Sequence, residues 1–407
     1  MILIKNCKPH DLLLDGAVLR KAGKGAEKAE QTVDAKGLVA VPGLVDMHVH
    51  FREPGREDKE TIATGAAAAI AGGFTSVAVM ANSGRVCDDA VGVVYVQAKS
   101  REAGGANVFA VGAVTKGLKG EELAELGKMS DAGAVAFSDD GMAITNSELM
   151  RRALEYSKMF RKPILAHCED TALTKNFVMN EGPVSAKLGL RGYPNAAEAA
   201  MAARDCYLAA LTGGHVHICH VSAKETVDVV RRAKKQGIRV TAEAAPHHLL
   251  LTDQTLVNYE SKYKMNPPLR TQADVEALIE GVVDGTIDAI ASDHAPHTSE
   301  EKEQELAACP NGIIGLETTL GVILSIKGIP FERAIDAMTA APARILGLKG
   351  KGTLEEGADA DVTLIDPKAS WTVDPAAFKS KGRCTPYEKM KLTGRAAHVF
   401  VGGRQCS

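Results

Sequence analysis

Eight short apolar runs that alternate with helical stretches constrain the fold more than any other feature of this chain. Strands separated by helices pair in parallel, and eight such units over about 300 residues are typical of a closed barrel. The runs are Leu44–His50, Ser76–Met80, Val108–Val114, Gly133–Phe137, Pro163–Ala166, His215–Cys219, Arg239–Ala244 and Asp288–Ala291. Helical stretches between them include Lys59–Ala71, Asn146–Met159, Ala196–Leu211 and Ala223–Lys235. The sequence therefore predicts an α/β fold of the (β/α)8, or TIM-barrel, type.

The two ends of the chain have a different pattern, with short strand candidates and turn residues but no helical periodicity. The strand candidates are Met1–Lys5, Asp11–Leu14 and Leu38–Val41 at one end, and Asp361–Ile365 and His398–Val401 at the other. Each end alone has too few strands to be stable, so we expect one small β-sandwich domain built from both termini. The predicted domains are residues 1–42 and 346–407 for the β domain, and 43–345 for the barrel.

Composition excludes several classes of protein. Hydrophobic residues make up 45% and charged residues 24% of the 407 residues, with a net charge of −3. Charges of both signs are interspersed, which gives no basic footprint for nucleic acid, and no apolar run has transmembrane length. The first residues lack a signal-peptide pattern, and the eight cysteines are scattered without CxxC spacing. We therefore expect a cytoplasmic enzyme with reduced thiols and with neither a nucleic-acid nor a membrane partner.

The first barrel strand ends in two histidines, His48 and His50. Residues two apart in a strand project from the same face, so both imidazoles would point to one spot at the strand end, where barrel enzymes place their chemistry. Neutral imidazole is a good ligand for a divalent metal. A lone HxH motif is more often two hydrogen-bonded histidines near a barrel mouth than a metal site, so the metal interpretation depends on the other strand ends.

Metal-type residues also follow four later strand candidates: Asp139 and Asp140, His167, His220, and Asp293. With His48 and His50, four imidazoles and two carboxylates would converge, enough for two cations that share a bridging carboxylate or hydroxide. The spacing leaves open which residue of the aspartate pair takes part. His215 and His217 lie earlier on their strand and are predicted to line the barrel. The acidic run Glu300–Glu305 predicts a solvated surface.

At this point the chain resembles the dihydroorotases of the amidohydrolase superfamily, specifically the bacterial class I type with an aspartate-bridged metal centre. The resemblance covers nearly the whole length. It rests on Asp46–Gly55 (DMHVHFREPG), Gly72–Thr75 (GGFT), Phe137–Gly141 (FSDDG), His167–Asp170 (HCED), His220–Ser222 (HVS), Pro246–Leu249 (PHHL), Lys264–Arg270 (KMNPPLR), Ser292–His297 (SDHAPH) and Gly315–Thr318 (GLET).

The resemblance implies a role for each matching residue. The implied metal ligands are His48, His50, Asp140, His167, His220 and Asp293, because the family's ligand in the aspartate pair precedes glycine. The implied substrate contacts are His50, Arg52, Asn82, Asn266, His297, Asn311 and Gly312, with Asp293 as catalytic acid and base. Relatives such as hydantoinases bridge their metals with a carboxylated lysine, but the segment 132–141 contains no lysine. Asp140 is therefore expected to be the bridge.

The implied reaction is the reversible cyclisation of N-carbamoyl-L-aspartate to L-dihydroorotate and water, a step of de novo pyrimidine (UMP) biosynthesis. One or two Zn²⁺ ions per chain would activate a hydroxide, and Asp293 would move the proton. The Arg52 guanidinium offers a fork that matches a substrate carboxylate. The resemblance also leaves open a homo-oligomer and a complex with aspartate transcarbamoylase.

Two alternatives remain at this stage. One is a hydantoinase- or allantoinase-like cyclic amidase, which keeps the metal centre but takes a neutral substrate. The other is a catalytically silent homologue that serves as a structural partner of aspartate transcarbamoylase. One departure bears on both: the family usually has Met-Pro-Asn-Thr after the second strand, whereas this chain has Met80-Ala81-Asn82-Ser83. The loop therefore lacks the fixed φ of proline.

Overall fold

The computed structural model of this chain describes residues 1–23 and 26–407. Its first five strands are short, and they lie outside the barrel. They are β1 (Ile2–Lys5), β2 (Leu12–Asp15), β3 (Val18–Lys21), β4 (Gln31–Asp34) and β5 (Val39–Pro42). The first four form one mixed sheet in the order β3-β2-β1-β4, in which β1 and β4 are parallel.

Eight parallel strands then form a single sheet that follows chain order, apart from one excursion after the fifth strand. They are β6 (Leu44–Val49), β7 (Phe74–Val79), β8 (Asn107–Gly112), β9 (Ala136–Ser138), β10 (Ile164–Ala166), β13 (Val216–Ile218), β14 (Val240–Ala244) and β15 (Ala289–Ile290). The excursion contains the paired strands β11 (Met179–Asn180) and β12 (Gly192–Tyr193). A parallel bridge between Val49 and His294 joins the first strand to the end of the last and closes the barrel. The predicted (β/α)8 fold is confirmed.

Helices alternate with the barrel strands and continue after the last of them. They are α1 (Ile62–Gly72), α2 (Ala90–Ala103), α3 (Leu126–Asp131), α4 (Ser147–Ser157), α5 (Thr171–Thr174), α6 (Pro183–Leu188), α7 (Asn195–Thr212), α8 (Lys224–Lys235), α9 (Pro246–Leu250), α10 (Gln272–Asp284), α11 (Ser299–Lys302), α12 (Thr319–Ser325), α13 (Phe331–Ala337) and α14 (Ala340–Leu346). Helix α1 begins three residues later than the sequence pattern predicts because Thr61 caps it: the Thr61 hydroxyl accepts the Thr64 N–H at 3.1 Å. The segment before it, including Lys59, is left free to face the barrel mouth.

Both termini contribute to the second sheet, in the order β18-β17-β16-β5. Its C-terminal strands are β16 (Val362–Thr372), β17 (Lys391–Val401) and β18 (Arg404–Gln405). Apolar side chains from both ends share one core, among them Ile4, Leu14, Ala40, Val362 and Phe400. This confirms that the termini build the β domain together, while its boundaries at residues 42 and 345 stay predictions. Within the described residues, no helix has the length and apolar character needed to cross a membrane.

Candidate metal centre and substrate cavity

A cavity of about 280 Å³ opens at the carboxyl ends of the barrel strands. Every residue for which the resemblance implies a substrate contact lines it. The lining consists of His50, Arg52, Asn82, Asp140, Gly141, His167, Asn266, Asp293, Ala295, His297, Asn311 and Gly312. The strand ends and the loops that follow them therefore meet around one space, as expected for the active face of such a barrel.

One group of metal-type side chains joins the first and the last barrel strands. His48, His50 and Asp293 each offer a ligand atom, and these atoms lie within 4.8 Å of one another. Asp293 Oδ1 is 3.2 Å from His50 Nε2 and 3.6 Å from His48 Nε2. All three residues are buried, so the group has the closed geometry of a metal site rather than that of a surface cluster.

A second group comes from the middle strands and contains Asp140, His167 and His220. Asp140 Oδ1 is 3.1 Å from His220 Nε2 and 3.6 Å from His167 Nδ1. The other oxygen of the same carboxylate, Oδ2, is 3.4 Å from Nε2 of both His48 and His50. Asp140 therefore turns one oxygen to each group, which is the arrangement that a bridging carboxylate requires.

The neighbouring Asp139 points elsewhere. Its carboxylate accepts the backbone N–H of Val114 at 2.8 Å and that of Thr115 at 3.0 Å, together with the Thr115 hydroxyl. Burial raises the pKa of Asp139 to about 6, although these hydrogen bonds act to lower it. Asp139 thus fixes the loop after β8, and of the aspartate pair it is Asp140 that lies among the histidines.

Buried acceptors orient the imidazoles from behind. His48 Nδ1 donates to Glu243 Oε1 at 2.6 Å, and His167 Nε2 donates to Glu169 Oε2 at 2.9 Å. His50 Nδ1 donates to Asn82 Oδ1 at 2.7 Å. Each contact fixes the tautomer, so that the remaining nitrogen faces the centre. Neither Glu243 nor Glu169 was predicted to take part; the signal for Glu243 was an acid inside the buried strand β14.

Charge within the centre favours a bound cation. Burial opposes ionisation, yet hydrogen bonds to Asp140 and Glu169 raise the pKa of His167 to about 10. Burial alone would raise the pKa of Asp140. The charge of His48 and hydrogen bonds from His167 and His220 outweigh it and lower this pKa well below its ordinary value. The carboxylates thus hold positive charge in the centre, which metal ions supply in place of protons.

The donor set passes a second test of fit. His48 Nε2 is buried and makes no hydrogen bond with any described residue, although it is aimed at both Asp140 and Asp293. An orphaned nitrogen of this kind is costly unless a ligand occupies the space in front of it. Imidazole and carboxylate together suit divalent metals such as zinc. The residues present fit a metal cofactor.

The opposite side of the cavity carries a buried guanidinium and two asparagine side chains. Arg52 Nε donates to Pro296 O at 3.2 Å, and no described carboxylate forms an ion pair with this guanidinium. Burial lowers the pKa of Arg52 to about 10, so the group stays charged at neutral pH. Asn266 Oδ1 and Asn311 Oδ1 are buried without a hydrogen-bond partner among the described residues. The lining of the cavity thus includes one cation and two asparagines whose amide oxygens have no partner among the described residues.

Backbone conformation places several of these side chains. Arg52, His220 and Asp293 adopt left-handed φ angles of 62°, 33° and 49°. Such angles are unfavourable for residues with a Cβ and tend to occur at functional sites. Gly312 has φ 126°, and a Cβ there would lie 2.9 Å from Ala295 O. Only glycine fits this position, which brings the loop backbone against the cavity.

The acidic run after the last barrel strand is not simply a solvated surface, contrary to the sequence-based expectation. The Glu301 side chain is only 25% exposed, and its Oε2 is 2.8 Å from Lys59 Nζ. The same oxygen lies 3.2 Å from His297 Nδ1. Charge density in the sequence could not reveal these contacts, because Lys59 is distant from Glu301 in the sequence and the two meet only in the folded barrel.

Solved structures of known proteins share this architecture over their full length. One named L-hydantoinase (dihydropyrimidinase) from Arthrobacter aurescens superposes with a TM-score of 0.89 at 24% identity, covering 100% of this chain and 96% of that one. A D-hydantoinase (dihydropyrimidinase) from Thermus sp. gives 0.81 at 24% identity, covering 100% and 95%. The chain therefore has the fold of the hydantoinase barrels, with a set of imidazoles and carboxylates at its strand ends that fits a metal.

Sequence comparison narrows the class further. The family model described as dihydro-orotase-like matches residues 37–226. A protein named dihydroorotase from Pelotomaculum thermopropionicum is 51% identical over 397 residues, which are 96% of this chain and 92% of that protein. Another from Geobacter metallireducens is 49% identical over 399 residues, or 97% and 94%. The chain belongs to the dihydroorotase family, and the predicted family and enzyme class are confirmed.

Proposed function

We propose that this chain catalyses the reversible conversion of N-carbamoyl-L-aspartate into L-dihydroorotate and water for pyrimidine (UMP) synthesis, and that the cavity residues divide this work. One observation carries the assignment of roles. The two groups of metal-type side chains share a single cavity with the Arg52 guanidinium and with the buried, unpartnered oxygens of Asn266 and Asn311. The substrate must therefore combine an anion, N–H donors and a carbonyl that can reach the metal side.

L-dihydroorotate matches this pattern because it has one carboxylate, two ring N–H groups and an amide carbonyl to be hydrolysed. The carboxylate would lie against Arg52, with Asn82 and His297 beside it, and the ring N–H groups would donate to Asn266 and Asn311. The backbone of Gly312 completes this wall. A neutral cyclic amide would leave the Arg52 charge without a counter-ion in a partly buried cavity, which is costly.

We assign one or two Zn²⁺ ions per chain to the metal side. Where two ions are present, His48, His50 and Asp293 would hold one ion, His167 and His220 the other, and Asp140 would bridge them. When bound, zinc supplies a Lewis acid that polarises a carbonyl and lowers the pKa of water towards neutrality. The buried acceptors behind His48 and His167 support this assignment, because they keep the opposite nitrogen of each ring directed at the centre.

Asp293 is the proposed proton carrier. Its Oδ1 faces His50 and His48, which leaves Oδ2 for the reacting atoms, whereas both oxygens of Asp140 face histidines. In hydrolysis the Asp293 carboxylate takes a proton from the attacking water and gives it to the ring nitrogen as the C–N bond breaks. In cyclisation it takes the proton of the carbamoyl nitrogen as that bond forms, and returns it to the departing oxygen.

The state of the cysteines bears on the location of the protein. All eight cysteines are free, which supports the proposed cytoplasmic location. A homo-oligomer and a complex with aspartate transcarbamoylase stay predictions.

The test is a metal count on the purified protein, together with hydrolysis assays on L-dihydroorotate, hydantoin and allantoin. We expect one to two zinc ions per chain and a clear preference for L-dihydroorotate. Asp293→Asn should retain the fold and lower turnover by about 10²- to 10⁴-fold, the range for general acid–base groups. A preference for hydantoin or allantoin would contradict the proposal, and a metal-loaded wild type without turnover would favour the silent homologue.

A further inference from the structure

A buried lysine that the proposed chemistry does not use lies against His297 at the mouth of the cavity. Lys59 Nζ is 3.1 Å from His297 Nδ1 and 2.8 Å from Glu301 Oε2. The Lys59 side chain is only 9% exposed. Desolvation of an ammonium is expensive, so the position of this lysine needs a reason beyond a surface ion pair.

The contacts of His297 define its tautomer. Its Nε2 is 2.8 Å from the carbonyl oxygen of Asn311, which can only accept a hydrogen bond. Its Nδ1 faces the Lys59 ammonium, which can only donate. His297 therefore carries its proton on Nε2, the side that faces the cavity wall at Asn311, and keeps the Nδ1 lone pair for Lys59.

Because Glu301 also lies near the ring, the tautomer of His297 depends on the presence of Lys59. Its Oε2 lies 3.2 Å from His297 Nδ1, close enough to accept a proton from that nitrogen. With Lys59 in place, the ammonium can donate to both acceptors, the ring nitrogen and the carboxylate oxygen, so neither acceptor needs a proton on Nδ1. Without Lys59, Glu301 would favour a proton on Nδ1. The second oxygen of Glu301 is held by Arg56 Nη2 at 2.9 Å, so the carboxylate cannot turn away freely.

We propose that Lys59 is a positioning residue for substrate binding: by donating to His297 Nδ1, it keeps the proton of His297 on Nε2. This N–H donates to Asn311 O, and as a three-centre hydrogen bond it can also be shared with the substrate carboxylate next to Arg52. Glu301 is the counter-ion that allows the lysine to stay charged in this place. The inference rests on the proposed function for the identity of the substrate. The claim that Lys59 keeps the His297 proton on Nε2 does not depend on that function.

The first test is ¹⁵N NMR of histidine-labelled, metal-loaded protein without substrate, with His297→Gln used to assign the resonance. In the wild type we expect Nε2 protonated and Nδ1 unprotonated. In Lys59→Met, Nδ1 should become protonated, while Lys59→Arg, which keeps a donor, should restore the wild-type pattern. Lys99→Met is the matched control, because it removes an exposed ion pair with Glu102 far from the cavity.

The second test is kinetic. Lys59→Met should raise KM for L-dihydroorotate roughly tenfold, the loss expected for one hydrogen bond to a charged group, and should change kcat less than about twofold. Metal content and melting temperature should match those of Lys99→Met. Lys59→Arg should recover most of the affinity. For dihydrouracil, the same ring without the carboxylate, wild type and Lys59→Met should show equal KM values.

Each contrary result overturns a defined part of the inference. A protonated Nδ1 in the wild type, or an unprotonated Nδ1 in Lys59→Met, would contradict the tautomeric role. An unchanged KM, or equal losses on L-dihydroorotate and dihydrouracil, would reduce Lys59 to a structural ion pair. Failure of the wild type to hydrolyse L-dihydroorotate would instead contradict the proposed function and leave the NMR result to stand alone.

Discussion

The two sides of the cavity are built on different principles. We call one the metal end: His48, His50, Asp140, His167, His220 and Asp293. We call the other the loop end: Arg52, Asn266, His297, Asn311 and Gly312. At the metal end, side chains on neighbouring strand ends neutralise one another within a few ångströms. At the loop end, the amide oxygens of Asn266 and Asn311 have no hydrogen-bond partner among the described residues, and Arg52 has no ion-pair partner there.

The support behind each end also differs. Carboxylates such as Glu243 and Glu169 hold the metal end through ring nitrogens. Ammonium groups hold the loop end through backbone carbonyls: Lys264 Nζ donates to Leu306 O and Cys309 O at 2.7 Å, and Lys302 Nζ donates to Gly312 O at 3.0 Å. Acidic support increases affinity for cations, and basic support suits an anionic substrate. The difference teaches that metal affinity and substrate affinity should be separable by mutation.

The largest effect should come from the metal end. His48→Ala or His167→Ala removes a ligand and leaves buried carboxylates without compensation, so we expect loss of metal and of nearly all turnover. Elemental analysis together with the L-dihydroorotate assay measures both. His398→Ala, in the β domain, is the control. If either variant were fully active without bound metal, the metal end would not be required for catalysis, and the proposed difference between the two ends would be wrong.

Support of the metal end should matter less than its ligands. Glu243→Gln keeps an acceptor for His48 but removes the charge, and loss of such an outer contact typically lowers metal affinity by about 10- to 100-fold. A competition titration with a chelator gives the value, and Glu102→Gln is an exposed control. If chelator resistance were unchanged, the negative charge behind His48 would be irrelevant to the metal.

The smallest effect should come from the loop end. Arg52→Lys keeps the charge but loses the planar fork, so kcat/KM for L-dihydroorotate should fall about tenfold, at the low end for charge-assisted hydrogen bonds. Metal content should stay at the wild-type level. Metal loss in this variant would show that the two ends are coupled, and full activity would remove Arg52 from the substrate site.

The residues of the metal end were predictable from sequence because they follow a simple rule: each lies at or just after the end of a barrel strand. The period-two spacing of His48 and His50, and metal-type residues after later strands, sufficed to predict the convergence that the structure shows. The choice of Asp140 over Asp139 needed the family resemblance, since both follow the same strand. Glu243 was missed because a single acid in a buried strand has no spacing partner to identify its role.

The loop end was less accessible to such reasoning. Asn311 and Gly312 lie in a loop with no periodicity, and only the resemblance pointed to them. Their support by Lys264 and Lys302 depends on backbone carbonyls, which every residue has, so no side-chain pattern records it. The Lys59–Glu301 contact joins segments over two hundred residues apart and became visible only in three dimensions.

The closure of the barrel by the Val49–His294 bridge has a consequence for how the protein matures. His50 donates its backbone N–H to His294 O at 2.8 Å, and the neighbouring Asp293 completes the first group of ligands. During synthesis, a growing chain that has not yet reached this last strand therefore lacks that group. If the centre binds metal as proposed, its first group of side chains is complete only when the ends of the first and last barrel strands have met, so metal binding at this group depends on closure of the barrel.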